Sequence, residues 1–183
     1  MLTNLSGAFA LWAPNVYGYY KDHLDAMYGR LPYLTRNFRK SIFPCATINF
    51  GPNAWTFKHH DVLNCPFGWC AIQALGEFNP KLGGHLILWD VKLVIEFPPA
   101  ATILIPSATL LHSNIPIQSD ECRASFTQYC SGAIFRWVDN GFRTVDDLKA
   151  QDPKEYERLS ALKETWWLEG LGLLSTMDDL LVS

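Results

Sequence analysis

The sequence predicts a mainly β domain, a sandwich or jelly roll, carrying a helical segment before it and a long helix after it. Three observations carry this. The 183 residues are 49% hydrophobic and 14% aromatic, which is enough to fill one ordinary core and too short for two. Between Phe43 and Val138 the chain breaks into short β-rich runs separated by turn clusters, without the 10–15-residue helical patterns of a βαβ chain. Helix-period patterns occur only outside that stretch. Residues 15–29 (NVYGYYKDHLDAMYG) read as an amphipathic helix closed by Gly29, and Leu159, Leu162, Trp166, Gly170 and Leu173 recur at helical spacing between Asp152 and Leu174. The last of these helices is expected to pack on the sandwich.

The expected parts are an N-terminal helical and basic segment over 1–42, a β core over 43–143 and an acidic helical region over 144–183. The runs expected as strands are CATINF, AWTFKHH, GWCAIQAL, GHLILWDVKLVIEF, ATILIP, ASFTQYC and AIFRWV, with turns at GPN, NPKLGG, FPPA and SNIPIQSDE. GPNA and LGGH are turn chemistry, since neither has the strand, glycine-rich loop and helix order of a phosphate-binding loop.

Composition excludes several classes. No apolar run approaches the roughly 20 residues that cross a bilayer, and the amino terminus lacks the pattern of a secretory signal. The expectation is a soluble intracellular domain with no membrane partner. Five cysteines, Cys45, Cys65, Cys70, Cys122 and Cys130, form no C-x-x-C pair and read as free, largely buried thiols. The net charge of −3 is uneven. Residues 1–58 hold six Lys/Arg against two Asp (+4), 59–143 five against seven (−2) and 144–183 four against nine (−5). If a polyanion binds, the segment from Lys21 to Lys40 is its place, with a solvated face as the plain alternative.

Among five histidines, one pair stands out. In FKHHDVLN, His59 and Asp61 are two apart, so on an extended segment they point to the same side, while His60 points away. A third ligand must come from another strand, and His112 in LLHSN stands at a β-like run. Two imidazoles and one carboxylate on one face form the facial triad of non-haem Fe(II) oxygenases. Beyond His112, Arg123 opens RASFTQY, in which Arg123, Ser125, Thr127 and Tyr129 share a face. A planar guanidinium holds a carboxylate through two parallel charge-assisted hydrogen bonds, which is what a 2-oxoglutarate oxygenase needs. Each of these residues alone has an ordinary reading, a packed histidine or a surface ion pair of Arg123 with Asp120 or Glu121. No Ser-His-Asp signature or nucleophile elbow is present, and Asp90 and Glu96 do not form a paired-carboxylate hydrolase site.

The stretches KHHDVLNCPFGWCAIQALGEF, LGGHLILWDVKLVIEFPPAATILIPSATLLHSN and CRASFTQYCSGAIFRWVDNGFRT, with the tail DPKEYERLSALKETWWLEGLGLLSTMDDL, resemble the TET/JBP-type Fe(II)/2-oxoglutarate oxygenase domains expanded in basidiomycete fungi. The resemblance runs from about Pro44 to the end. It implies a double-stranded β-helix, with Fe(II) on His59, Asp61 and His112, and 2-oxoglutarate on Arg123 with Ser125 beside it. It also implies dioxygen as co-reactant and hydroxylation of a modified nucleobase, 5-methylcytosine in DNA first and N6-methyladenine next. DNA would then be the partner and the nucleus the place of action. His60 stands where the family often has Arg. Phe67, Trp69 and Asn64 lie near enough in sequence to touch a flipped base. The alternatives are an oxygenase acting on a protein side chain or small metabolite, and a non-catalytic module that keeps the fold. Members of the family are usually longer, which raises the expectation of a fragment lacking part of the substrate-binding surface.

Overall fold

The computed structural model describes residues 3–181. Two compact units result: a β unit of 45–64 and 68–130, and a helical unit of 1–44, 65–67 and 131–183.

The β unit is a jelly roll of two antiparallel sheets. The larger has the order β1-β7-β2-β5, formed by β1 (Cys45–Asn49), β2 (Cys70–Glu77), β5 (Thr102–Ile105) and β7 (Cys122–Tyr129). The smaller has the order β4-β3-β6, formed by β3 (Leu86–Leu88), β4 (Leu93–Ile95) and β6 (His112–Asn114). Cys70, Ile72, Ala74 and Ile105 of the first sheet and Leu86 and Leu88 of the second meet in one core with Phe78, Phe97 and Ile117. Strand period 2 then assigns the inner face of the large sheet. Ile72 pairs with Thr127, Ala74 with Ser125 and Gly76 with Arg123, while across β1 Asn49 pairs with Ser125 and Thr47 with Thr127. The register therefore sets Arg123, Ser125, Thr127 and Tyr129 in one inward row.

Gly76 shows how tightly β2 and β7 approach. Its φ is +117°, and a Cβ there would lie 2.1 Å from the Cys122 carbonyl oxygen, so no side chain fits.

Three expected strands form otherwise. GHLILWDVKLVIEF is a hairpin, because Lys92 takes φ +55° and its N–H closes a turn onto the Trp89 carbonyl. AWTFKHH forms no strand and makes one isolated bridge, at His59, with a second at Asn53 just before it. AIFRWV is helix α3 (Gly132–Asp139). Ser131 caps its start by accepting from the Ala133 N–H, and Gly141 at φ +67° ends it, with the Phe142 N–H bonded to the Trp137 carbonyl. These caps prevail over the β propensity of Ile, Phe, Trp and Val.

The helical unit also holds α1 (Thr3–Trp12), α2 (Pro14–Arg30), α4 (Val145–Gln151), α5 (Pro153–Gly172) and α6 (Met177–Leu181). In α2, Val16, Tyr20, Leu24 and Met27 form a buried stripe at helical spacing. Phe9 stacks on Phe43 at 5.5 Å, and Tyr20 meets Phe135 at 4.9 Å. The Asp152 side chain caps α5, whose Gly170 lies against the Phe67 ring. No helix among the described residues is long and apolar enough to cross a membrane.

None of the described cysteines forms a disulfide. Cys65, Cys70 and Cys130 are buried, Cys45 is half-buried and Cys122 is exposed. Burial pushes the Cys70 thiol up to about 12.

Candidate metal and carboxylate site

His59 and His112 meet as a backbone pair. The His59 N–H donates to the His112 carbonyl at 3.0 Å and the His112 N–H to the His59 carbonyl at 3.1 Å. This exchange places the two imidazoles side by side, with centroids 4.3 Å apart. Asp61 follows on the same segment, its N–H bonded to the Ser107 carbonyl at 2.9 Å. One ligand atom each from His59, Asp61 and His112 falls within a cluster no wider than 4.8 Å. His59 Nε2 and an Asp61 carboxylate oxygen are 3.6 Å apart.

The rings are also oriented for ligation. His59 Nδ1 lies 2.7 Å from the Phe57 carbonyl and His112 Nδ1 2.8 Å from the Leu110 carbonyl. A carbonyl only accepts, so each Nδ1 carries a proton, and in the neutral ring Nε2 is the atom left to bind an ion. Burial holds the pKa of His112 below the ordinary value, and His59 and His60 add to this against the opposing Leu110 carbonyl and Asp61. The neutral imidazole is the form that binds metal.

Several supporting roles escape sequence reasoning. The Asp90 carboxylate accepts the Leu111 N–H at 2.7 Å, and Trp89 Nε1 donates to Ser113 Oγ at 3.0 Å, so both neighbours of His112 are held from the β3–β4 turn. Asn64 Nδ2 donates to Ser107 Oγ at 3.1 Å and lies 3.5 Å from Asp61 Oδ2. The one available signal was adjacency, since Asn64 follows Asp61 by three residues.

A cavity of about 470 Å³ opens beside the cluster. Besides His59, Asp61 and His112 its lining includes Thr47, Asn49, Ser125, Thr127 and Tyr129 from β1 and β7, together with His60 and Asn64. Val62, Leu63 and Ile72 are apolar parts of its lining. Arg123 does not line this cavity; it lies one inward position beyond Ser125 on β7. It is only 1% exposed, which excludes the surface ion pair with Asp120 or Glu121. Glu121 is engaged instead with the N–H groups of Asn79 and Gln118. Arg123 Nη1 donates to the Ala54 carbonyl at 2.6 Å, whereas Nε and Nη2 are buried with no partner. Burial lowers its pKa, yet a guanidinium stays charged. A buried charge with two idle donors is costly unless a ligand uses them.

The other sequence candidates divide. Phe67 is packed in the helical unit against Tyr19 at 5.2 Å and Trp166 at 5.5 Å, as a core residue. Trp69 does not line the cavity, and Asn64 does. In the basic segment, Lys21 and Arg36 are both bound to Asp25, and Arg36 also covers the Tyr28 ring at 4.5 Å.

Fold and cluster together define a jelly roll with a His-Asp-His group that could hold a metal ion. No family model matches the chain, and no curated protein does. Solved structures similar to it include NgTET1 in complex with 5mC DNA, at 15% identity and TM-score 0.44, covering 72% of this chain and 53% of that one. Another is the viral collagen prolyl hydroxylase vCPH from Paramecium Bursaria Chlorella virus-1 in its 2OG complex, at 17% identity and TM-score 0.34, covering 47% and 60%. The chain thus spans between half and three fifths of these relatives' length, and the likeness is one of fold alone.

Proposed function

We propose that this chain is an Fe(II)- and 2-oxoglutarate-dependent dioxygenase of the TET/JBP type. The observation that carries the reading is the cluster of His59, Asp61 and His112, one ligand atom each within 4.8 Å, with both Nδ1 atoms bonded to backbone carbonyls. Two neutral imidazoles and one carboxylate suit Fe(II) and leave positions for other ligands. Arg123 supplies a second, independent fit. Its idle Nε and Nη2 match the two oxygens of a carboxylate, and Ser125 stands next on the same row.

Bound here, Fe(II), 2-oxoglutarate and dioxygen supply the oxidising chemistry, in which 2-oxoglutarate becomes succinate and carbon dioxide as a substrate C–H is hydroxylated. The protein's share is placement. His59, Asp61 and His112 hold the ion from one side, Asn64 and Ser107 steady the carboxylate segment, and Arg123 with Ser125 fixes the far carboxylate of 2-oxoglutarate.

The substrate in this reading is a modified nucleobase, 5-methylcytosine in DNA first and N6-methyladenine next, acted on in the nucleus. Purified protein loaded anaerobically with Fe(II) is mixed with 2-oxoglutarate and oxygen, with and without DNA containing 5-methylcytosine. Succinate that rises with the methylated DNA, together with loss of the methyl base, is the expected result. Absence of succinate despite bound iron would contradict the enzyme.

A second reading keeps the chemistry and places it on a protein side chain or small metabolite. What favours it is charge, since the β unit holds four Lys/Arg (Lys58, Lys81, Lys92 and Arg123) against six Asp/Glu. Contact with DNA normally neutralises phosphates. No duplex affinity at ~50 mM salt would favour this second reading.

A further inference from the structure

Ser125 has a partner directly opposite on the edge strand. Asn49 pairs with Ser125 in the β1–β7 register, and its Nδ2 donates to Ser125 Oγ at 3.0 Å. Both side chains line the cavity. A serine hydroxyl has two lone pairs and one proton. Once the Asn49 amide occupies a lone pair, the proton must point elsewhere, and no acceptor among the described residues takes it. The hydroxyl is thereby turned into a donor for whatever occupies the cavity.

We infer that Asn49 is a positioning residue which orients the Ser125 proton toward the carboxylate of the cosubstrate. This rests on the 2-oxoglutarate reading of the site. Nothing in the spacing of the sequence marks Asn49; only the register of an edge strand places it against Ser125. A neighbouring pair follows the same pattern, with Thr47 Oγ1 donating to the Tyr129 hydroxyl at 3.4 Å. β1 thus presents side-chain donors to hydroxyls of the inward row of β7, so that Ser125 joins Arg123 in presenting protons to an anion. Asn49 makes no demand on the ion, and its effect is confined to the cosubstrate.

The test is calorimetric titration of 2-oxoglutarate into Mn(II)-loaded protein, which reports binding without turnover. Asn49→Ala should weaken 2-oxoglutarate on the order of 10-fold, as expected for one hydrogen bond to a charged group. Asn49→Asp should weaken it further, because a carboxylate accepts the Ser125 proton instead of releasing it. The double variant Asn49→Ala/Ser125→Ala should bind no worse than Ser125→Ala alone, the non-additivity of two residues acting as one. Mn(II) affinity and thermal midpoint should be unchanged throughout, which excludes simple loss of fold. Two results would overturn the inference: Asn49→Ala binding as wild type while Arg123→Met does not, or losses at Asn49 and Ser125 that add. Wild-type protein that binds Mn(II) but no 2-oxoglutarate, or Arg123→Met that binds it unimpaired, would overturn the cosubstrate reading and this inference with it.

Discussion

The two units each contain a cavity of about 470 Å³, and their walls are built differently. In the helical unit the walls are largely apolar, with Leu148, Leu159 and Trp166, and its His23–Asp139 pair is closed on itself at 2.8 Å. In the β unit the walls carry hydroxyls and amides, three possible ligand atoms lie within 4.8 Å of one another, and Arg123 on β7 keeps two buried donors unpartnered. Equal volume therefore says little about chemistry. What distinguishes the β unit is three possible ligand atoms gathered on one cavity wall, with the two unpartnered donors of buried Arg123 one inward position further along β7.

The largest effect that could break this contrast concerns the ion. Replacing His59, Asp61 or His112 by Ala should lower Mn(II) affinity by more than about 100-fold, since even outer partners of metal ligands contribute 10–100-fold. His23→Ala should leave it intact. Retention of metal by His59→Ala alongside its loss in the helical-unit variant would reverse the assignment.

Arg123→Met should reduce 2-oxoglutarate affinity by about 100-fold, the worth of two charge-assisted hydrogen bonds. The ligand-free variant should unfold no earlier than wild type in a thermal melt, because a buried charge with no counter-ion is exchanged for an apolar side chain of similar size, which offsets the lost bond to the Ala54 carbonyl. A collapse of the melting temperature would make Arg123 a structural residue and remove the contrast.

A smaller effect belongs to the helical unit. Burial disfavours charged His23, but its bonds to Asp139 and the Tyr19 carbonyl outweigh this and raise its pKa. The pair's contribution is thus complete below the unfolded value of 6.5 and fades as pH rises through the folded value. Urea unfolding should show wild type losing stability from pH 5.5 to 8.5 relative to Asp139→Asn. The difference should be a few tenths to about 1 kcal/mol, given that Asp139 is well solvated. Equal pH profiles would show the pair to be inert.

The smallest effect is at His60, where Ala should leave Mn(II) affinity within about twofold, since His60 lines the cavity but offers no atom to the His59–Asp61–His112 cluster. If His60→Ala loses the ion and His59→Ala keeps it, the register is wrong.

The sequence made the β-rich middle, the flanking helices and the inward row of β7 legible, because period 2 and period 3.6 survive in the residues that face a core. The pairing of His59 with Asp61 was legible for the same reason. The hairpin at Trp89–Lys92 was not, since it depends on one residue adopting positive φ within a run of strand formers. Helix α3 was hidden by its β-branched and aromatic residues, although Ser131 before it and Gly141 after it are ordinary helix boundaries. The supports of the site, Asp90 on Leu111 and Asn49 on Ser125, join residues 21 and 76 positions apart and arise only once the register exists.

The central claim is that the His59–Asp61–His112 cluster and Arg123 belong to one site. Its most direct test is anaerobic titration of 2-oxoglutarate into the Fe(II)-loaded chain, followed by the charge-transfer absorption that chelation of Fe(II) by a 2-oxo acid produces. The account predicts a saturable band in wild type, no band in Asp61→Ala and a band displaced to about 100-fold higher 2-oxoglutarate in Arg123→Met. A wild-type protein that holds Fe(II) and yields no band at any 2-oxoglutarate concentration would contradict it.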